Sequence, residues 1–363
     1  MKRVQCSGLG LMSGSSLDGL DIAGVHFALE YEPAPTPTLH KVEWSLACAQ
    51  TFSYTETWRK RLKYLEGQTA FELAKTHVYL GHYFAILVKD FLKSHPFQPD
   101  FIASHGHTVF HEPERHLTLQ IGDGAALAAQ TKITVIDDFR SQDVALDGQG
   151  APLAPLADVW LWPEYDLWLN LGGIANLSAR APEGVLACDI TGCNQLLNAL
   201  AEEEGLPYDA DGQLAAQGSL LEDLLQFWNR LPFFTKPFPK SLSNRWVQKE
   251  LILPALRHSA STADKLRTAC EHIAQQVRLS VETLAQTQHP RRMLLTGGGA
   301  KNDFLVGRIG EALQSTGVEV CVPDAQIVDF KEAILMAFMG ALRLQNIPNC
   351  LKSVTGAKRD SVG

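Results

Sequence analysis

Short apolar runs and longer amphipathic segments alternate along this chain, and the alternation favours an α/β architecture. Runs rich in branched and aromatic side chains predict strands at residues 20–29, 101–103, 133–136 and 167–171. Apolar positions at helical spacing predict helices at residues 69–94, 194–204, 262–286 and 329–345. The proline, glycine and lysine content predicts long functional loops at residues 207–218 and 231–243.

A strand that enters a glycine-rich turn occurs twice, at residues 9–19 and again at residues 169–176. The repetition predicts two related α/β lobes that face a cleft, and a length of 363 residues is compatible with two domains. We place the first lobe at residues 1–132 plus 345–363 and the second at residues 133–344.

Composition narrows the class of protein. The net charge of −8 argues against a nucleic-acid partner, which requires a basic face. The N-terminal apolar stretch is interrupted by polar residues, and no run approaches the roughly 20 apolar residues of a membrane span, so we expect neither secretion nor membrane insertion. Seven scattered cysteines show no zinc spacing or disulfide framework and favour a cytoplasmic protein with reduced thiols.

The first glycine turn, at residues 10–19, has the composition of a phosphate-binding loop. Its glycines leave room for an anion to approach the backbone, while serine hydroxyls and free amides can donate hydrogen bonds. The chain lacks the Gly-x-x-x-x-Gly-Lys-Ser/Thr motif, and its early glycines do not have the Rossmann spacing. A hairpin clamp on phosphate and a plain β-hairpin loop are both compatible with this turn.

Another glycine cluster, at residues 297–299, follows an apolar strand. Glycine here would let the end of the strand lie close to a nucleoside. The alternative is a tight turn from a strand into a helix.

Residues 12–21, Met-Ser-Gly-Ser-Ser-Leu-Asp-Gly-Leu-Asp, resemble the signature of the anhydro-N-acetylmuramic acid kinase family. Further blocks similar to that family follow in the expected order at residues 104–111, 119–124, 138–140, 148–153, 170–176, 239–241, 297–302, 331–333 and 354–357. Ordered blocks over the whole length are far more specific than any single motif.

The resemblance implies an actin/hexokinase-like fold, with two RNase-H-like lobes around a nucleotide cleft. The implied enzyme opens the 1,6-anhydro bridge of its sugar with water and phosphorylates O6 with ATP. Its products are N-acetylmuramic acid 6-phosphate and ADP, formed in cell-wall recycling. Magnesium is required, and homodimers are usual in the family.

By resemblance, the first lobe carries the first phosphate loop. The second lobe carries the second phosphate loop, the catalytic residue and the glycine cluster on the nucleoside side. The implied ATP-binding residues are Gly14, Ser15, Ser16, Leu17, Asp18, Gly19, Leu20, Asp21, Gly173, Asn176, Gly297, Gly298 and Gly299. No residue is assigned as a direct metal ligand, although Asp18 or Asp21 could orient magnesium-bound water.

Asp189 is the expected general base, because the family's catalytic aspartate maps onto it. It ends an apolar run and precedes a predicted helix at Asn194, whose terminus should keep the carboxylate ionised. The family's Asp-Thr-Gly-Pro-Gly-Asn stands here as Asp-Ile-Thr-Gly-Cys-Asn at residues 189–194, so the interior of this loop is rewritten. A loop or helix-capping aspartate is the alternative.

Four residues are expected to contact the sugar. The resemblance points to His105 and Thr108, and Arg140 could pair with the lactyl carboxylate because guanidinium binds carboxylates bidentately. Glu332 could accept a hydrogen bond from a sugar hydroxyl, its alternative being a surface salt bridge.

Three other functions stay open. A levoglucosan kinase would share the fold and mechanism without recognising the N-acetyl or lactyl groups. The His105-x-His107 pair is also typical of metal-dependent hydrolases. The rewritten loop after Asp189 is compatible with a catalytically inactive sugar sensor.

Overall fold

Two β-sheets with the same strand order organise the chain. The computed structural model describes residues 1–14, 16–181, 184–238, 240–284 and 291–363. It divides into a first unit, Met1–Trp162 with Phe330–Gly363, and a second unit, Pro163–Asp329. None of the described helices combines the length and apolar character that crossing a membrane requires.

The first unit is built on a mixed sheet. Its strands are β1 (Lys2–Ser13), β2 (Gly19–Glu32), β3 (Thr38–Ser53), β4 (Phe101–Glu112), β5 (Leu117–Ile121) and β6 (Thr134–Ile136). The order is β3-β2-β1-β4, with β5 and β6 both paired to β4. β1, β2 and β3 form an antiparallel meander, whereas β4 runs parallel to β1 and β6 runs parallel to β4.

Helices of the first unit are α1 (Glu56–Lys63), α2 (Ala70–Ser94), α3 (Gly124–Thr131), α4 (Ser141–Ala145) and α5 (Ala154–Leu161). α2 begins where Thr69 accepts a hydrogen bond from the amide of Glu72, as a Thr-x-x-Glu sequence favours. Its residues Leu80, Phe84 and Val88 recur at helical spacing and are buried in the core of this unit.

The second unit repeats this strand order. Its strands are β7 (Leu167–Leu171), β8 (Ile174–Ala181), β9 (Gly184–Gly192), β10 (Arg291–Thr296) and β11 (Val318–Cys321). β7, β8 and β9 form an antiparallel meander, and β10 and β11 continue from β7 in parallel. The shared topology confirms the predicted pair of related RNase-H-like α/β lobes.

Helices of the second unit are α6 (Asn194–Ala201), α7 (Gln213–Gln217), α8 (Glu222–Asn229), α9 (Asn244–Val247), α10 (Leu253–Arg257), α11 (Thr262–Leu284) and α12 (Asp303–Leu313). α13 (Ala325–Leu344) begins in the second unit and continues into the first, which also contains α14 (Lys352–Thr355). Single helical turns lie at Leu65–Gly67, Pro113–Arg115, Glu202–Glu204, Ala210–Gly212, Pro232–Thr235, Gln248–Ile252, Gly298–Lys301 and Gln314–Thr316.

Among the described residues the predicted strands and helices are confirmed, with strands 101–103 and 20–29 extended at their ends. Residues 285 and 286 of the predicted helix 262–286 lie outside the described residues. The predicted loop at 207–218 was wrong in part, because it contains Ala210–Gly212 and α7. The unit boundaries differ from the expected 132/133 and 344/345. β6 pairs with β4, which attaches the segment after residue 132 to the first unit.

Backbone contact between β1 and α13 requires glycine at position 10. A Cβ atom on Gly10 would overlap the carbonyl oxygen of Ala333 and approach the amide nitrogen of Ala337 at 2.7 Å. The helix therefore lies directly on the sheet backbone, and Glu332 stands next to this contact in the chain.

Candidate active site

The first predicted phosphate loop connects β1 to β2 as a short hairpin loop. Leu17 has a positive φ of 60°, and its amide donates to the carbonyl of Gly14 over 3.3 Å. Ser16 and Asp18 are exposed, so their polar groups are available to a ligand. Ser15 lies outside the described residues.

The remaining residues predicted for this loop lie in β2. Gly19 is buried and pairs with Ser53 on β3, and the side chain of Leu20 lies in the core. The carboxylate of Asp21 accepts a hydrogen bond of 2.5 Å from the hydroxyl of Thr51. Of these three residues, only Asp21 is partly open to solvent.

The glycine turn at residues 169–176 and the glycine cluster at residues 297–299 meet at one edge of the second sheet. β7 and β10 are adjacent parallel strands, so their carboxyl ends lie side by side. Gly297 follows β10 with a φ of 80°, and a Cβ there would come within 2.6 Å of the Asn170 side-chain oxygen. A Cβ on Gly299 would come within 2.7 Å of the Leu171 side chain. Only glycine permits this approach of the two strand ends.

The turn between β7 and β8 is held by the loop that follows β9. The amide of Cys193 donates to the carbonyl of Gly173 over 2.9 Å, and the amide of Asn194 donates to that of Gly172 over 3.0 Å. The Asn194 side chain also donates to the carbonyl of Leu171 over 2.9 Å. The rewritten loop therefore has a defined shape, tied to the glycine turn, and Gly173 itself is exposed.

Asp189 lies on β9 opposite Asn176 of β8. Its own amide donates to the carbonyl of Lys240 over 3.0 Å, and its carboxylate accepts a hydrogen bond of 2.8 Å from the amide of Leu242. Burial raises the pKa of this carboxyl, and the Leu242 amide opposes the increase. Asp189, Asn176 and the glycine turn thus lie on neighbouring strands of one sheet.

The expected electrostatic effect of a helix terminus on Asp189 was wrong. α6 begins at Asn194, and the pKa of Asp189 is raised rather than held low. Partial burial disfavours the carboxylate more strongly than one backbone hydrogen bond favours it. A raised pKa makes this group a better proton acceptor than an ordinary aspartate.

His105 and Arg140 form a fixed pair in the first unit. Arg140 Nε donates to His105 Nε2 over 2.9 Å, so that nitrogen carries no proton. The proton is therefore on Nδ1, which donates to the carbonyl of Gly106 over 3.1 Å. Burial and the Arg140 charge lower the pKa of His105 from 6.5 to about 3, and the ring is neutral.

Arg140 keeps donors for a ligand, and Glu332 lies near it. Arg140 Nη1 donates to the carbonyl of Gly150 over 2.6 Å, whereas Nη2 has no hydrogen-bond partner among the described residues. Much of Glu332 is exposed, yet desolvation by the protein packed around its carboxyl raises its pKa, and Asp21 adds to the increase. Arg140 and Lys331 oppose it, and solvent access limits its size.

Known proteins similar to this chain decide its family. A family model described as anhydro-N-acetylmuramic acid kinase matches residues 7–363. The curated enzyme of that name from Pasteurella multocida is 32% identical over 99% of this chain and 96% of its own length. The enzyme of that name from Haemophilus influenzae is 33% identical, over 96% and 94%. An enzyme of the same name from Actinobacillus pleuropneumoniae is 35% identical, over 96% and 95%.

The chain belongs to the anhydro-N-acetylmuramic acid kinase family. The family and enzyme class predicted from the sequence are therefore confirmed. In this family member, Asp189 and the two glycine clusters lie together in the second unit, whereas His105, Arg140 and Glu332 lie in the first.

The His-x-His pair does not form a metal site in this kinase. His105 Nε2 is taken by Arg140, and His107 Nδ1 lies 3.2 Å from the hydroxyl of Ser13. An extra residue in β4 opposite β1 breaks the strand alternation between the two histidines. Across the described residues, no three His, Cys, Asp or Glu side chains are grouped as metal ligands.

A polar pocket of about 180 Å³ borders His105, and sequence reasoning missed it. Ser104 and Gln120 line it, and within the described residues Ser104 Oγ and Gln120 Oε1 are buried without a hydrogen-bond partner. The amide group of Gln120 donates to the hydroxyl of Thr108 over 3.3 Å, which links Thr108 to this pocket. Both residues stand in the motifs at 104–111 and 119–124, so the signal was present.

Proposed function

We propose that this chain is an ATP-dependent kinase that hydrolyses the 1,6-anhydro ring of 1,6-anhydro-N-acetylmuramic acid and phosphorylates O6. The products are N-acetylmuramic acid 6-phosphate and ADP, formed in cell-wall recycling. The observation that carries this proposal is the setting of Asp189: a partly buried carboxylate of raised pKa, with one backbone donor, beside a glycine-rich strand edge. The identity of the sugar substrate is inferred from membership of the family.

Asp189 is the proposed general base. It takes a proton from water, and the water oxygen forms a bond to C1 as the bond from C1 to O6 breaks. The released O6 attacks the γ-phosphorus of ATP, and the bond from phosphorus to the ADP oxygen breaks. Because phosphate captures O6, the leaving group needs little separate protonation. Phosphoryl transfer otherwise depends on position and charge neutralisation.

The ATP contacts are proposed separately for each unit. In the first unit they are residues 14–21, of which Ser16 and Asp18 present exposed polar groups. In the second unit they are Gly173, Asn176 and Gly297, Gly298 and Gly299, of which Gly173 and Gly298 are exposed at the strand ends.

Magnesium is proposed as the partner of ATP. Asp18 presents an exposed carboxylate and Asp21 a half-buried one, which fits an ion that keeps most of its waters. These two residues would hold it through water. When bound, the ion neutralises phosphate charge.

For the sugar, we propose contacts from Arg140, Glu332, His105 and Thr108. The free donors of Arg140 suit the lactyl carboxylate, and Glu332 can accept from a hydroxyl. His105 positions Arg140 by accepting a hydrogen bond from its Nε–H group, while Thr108 is linked to the polar pocket through Gln120.

A coupled ADP-release assay tests the proposal. We expect turnover with 1,6-anhydro-N-acetylmuramic acid and ATP, and far less with levoglucosan, which has no carboxylate for Arg140. Faster turnover of levoglucosan would show that levoglucosan, and not the acidic sugar, is the preferred substrate. Sugar binding without ADP release would identify a sensor instead.

We also propose a homodimer formed through α2. Its outward side carries Phe71, Val78, Tyr79 and Ile86, which are 72%, 38%, 49% and 56% exposed. Such an apolar helix stripe is typical of a covered surface. Light scattering should give twice the chain mass for the wild type and the monomer mass for a Phe71→Glu, Ile86→Glu variant. Phe227→Glu, at an exposed aromatic residue on α8, is the control.

A cytoplasmic location and a small-molecule partner complete the proposal. All seven cysteines lie in the described part of the chain, and none of them forms a disulfide there. The net charge of −8 disfavours nucleic acid. Cell fractionation and a binding assay with duplex DNA test the two statements.

A further inference from the structure

The rewritten loop after Asp189 is anchored by a buried chain of hydrogen bonds. The hydroxyl of Thr191 lies 3.0 Å from His272 Nε2 on α11, and His272 Nδ1 lies 2.7 Å from Asn229 Oδ1 at the end of α8. Thr191 and His272 have no exposed surface. Thr191 and His272 are 81 positions apart in the sequence, and His272 and Asn229 are 43 positions apart.

The direction of each hydrogen bond follows from the chemistry of the groups. Asn229 Oδ1 also accepts from Gln276 Nε2 over 2.9 Å, so His272 Nδ1 must be its second donor. Burial lowers the pKa of His272 to about 3, and a neutral imidazole carries one proton. His272 Nε2 is therefore an acceptor, and the hydroxyl of Thr191 donates to it.

Thr191 lies immediately beyond an irregularity in β9. Asn176 pairs with Asp189 while Ala175 pairs with Thr191, so Ile190 is an extra residue on this strand. Ile190 and Thr191 are consecutive and both buried, which a regular strand with one covered face does not allow. A bulge of this kind redirects the neighbouring side chain, here Asp189.

We propose that Thr191 and His272 are positioning residues, which hold the bulge in the register that presents Asp189 to the reacting water. This inference rests on the proposed function of Asp189. Asp189 itself touches the amide of Leu242 and the carbonyl of Lys240, and its titratable neighbour is Cys188. The ammonium group of Lys240 lies near the Phe233 and Phe238 rings, so the hydrogen-bond chain acts through the backbone of β9.

Thr191→Val tests the proposal, because valine has nearly the same shape and lacks the hydroxyl donor. We expect kcat to fall about 10- to 100-fold with the KM for ATP unchanged, as expected when a reacting group is misplaced by about an ångström. If Asp189 moves away from the Leu242 amide, its pKa rises further. The acidic limb of the kcat profile should then move to higher pH, and Thr191→Ser should restore it.

Thr268→Val is the matched control. Thr268 is a fully buried threonine on the same helix. It accepts a hydrogen bond from the amide of Leu221 and, among the described residues, has no hydrogen bond to β9. Equal movement of the acidic limb in this variant would show a general effect of lost stability and overturn the proposal. A Thr191→Ser variant as impaired as Thr191→Val would overturn it as well.

Hydrogen exchange separates this proposal from the proposed function. The amides of Asp189 and Leu242 should exchange faster in Thr191→Val than in the wild type, whether or not the wild type releases ADP. Unchanged exchange would refute the positioning role even in an active enzyme. If Thr191→Val does not fold, Asn229→Ala, at a half-buried position, should show the same increase with smaller amplitude, and its absence would refute the role.

Discussion

Asp189 and Glu332 are carboxyl groups whose pKa values are raised mainly by the surrounding protein, yet their neighbours differ. Asp189 has one backbone donor and no cation among the causes of its shift. Glu332 has Arg140 and Lys331 nearby, and their charges oppose the increase. The first setting suits a group that gains and loses a proton, and the second suits a group that stays charged and accepts hydrogen bonds.

The contrast fits the different roles proposed for the two carboxyl groups. A base must change its charge during the reaction, which nearby cations would hinder. A recognition group must keep its charge, which nearby cations favour. The pKa of both carboxyl groups is shifted in the same direction, although the roles proposed for them differ. The difference lies in their neighbours, which are a backbone amide for Asp189 and two cations for Glu332.

The largest effect should come from Asp189→Asn, which keeps the shape and removes the proton acceptor. We expect kcat to fall by roughly 10²–10⁴ with little change in ATP affinity. Steady-state kinetics and ATP titration measure both quantities. Turnover near that of the wild type would show that Asp189 is not the general base, and the two carboxyl groups would then not differ in role.

Arg140→Ala should have the next largest effect. Loss of charged hydrogen bonds to the lactyl carboxylate should raise the KM for the sugar about 10- to 100-fold. The KM for ATP should stay nearly constant. Arg115→Ala, at an exposed arginine of the same unit, is the control. If both KM values for Arg140→Ala match the wild type, Arg140 serves only to hold His105.

Glu332→Gln should be milder, with a rise of about tenfold or less in the KM for the sugar, since the amide can still accept a hydrogen bond. Its kcat should remain close to that of the wild type. A collapse of kcat with an unchanged KM would show that Glu332 transfers a proton, and would reverse the two roles.

The pH profile sharpens the same comparison. A base works only when ionised, so kcat should fall as the pH drops through the pKa of Asp189. Because that pKa is raised, the acidic limb should lie above the ordinary value of 3.8. Glu332→Gln should leave this limb in place, and a limb that disappears in that variant would contradict the assignment.

The smallest effect concerns stability. A carboxyl with a raised pKa in the folded state destabilises the fold once the pH exceeds its unfolded pKa, and the full cost applies above the folded one. Asp189→Asn should therefore raise Tm at neutral pH and lose this advantage in acid. Thermal unfolding at several pH values measures it, and an equal gain at every pH would point to a cause other than charge.

Local sequence pattern was sufficient for much of the fold. The prediction of a strand at residues 167–171 matches β7, because an apolar run interrupted only by Asn170 ends there at two glycines. The unit boundary was different because it depends on the pairing of β6 with β4, which no local pattern contains. The raised pKa of Asp189 likewise depends on burial by distant segments.

The site shows the same division. Motifs located the glycine clusters at the ends of apolar strands, since those motifs describe local backbone, whereas Asp189 was expected in a loop and lies within β9. His272 carried no signal, because a single histidine on an amphipathic helix is usually a core residue. Its role depends on Thr191, 81 positions away.

The contact of Gly10 with Ala333 has a consequence for how tolerance to mutation is interpreted in this protein. Every single-nucleotide change of a glycine codon that alters the amino acid adds a side chain, or ends translation. Each new side chain would push α13 away from β1. A library that covers every position should therefore find Gly10 as intolerant as Asp189, although the backbone of a helix, and no ligand, fills the space beside it. In such a library, abundance measured alongside growth would distinguish the two: Gly10 variants should be depleted from the cell, while Asp189→Asn should accumulate as folded and inactive protein.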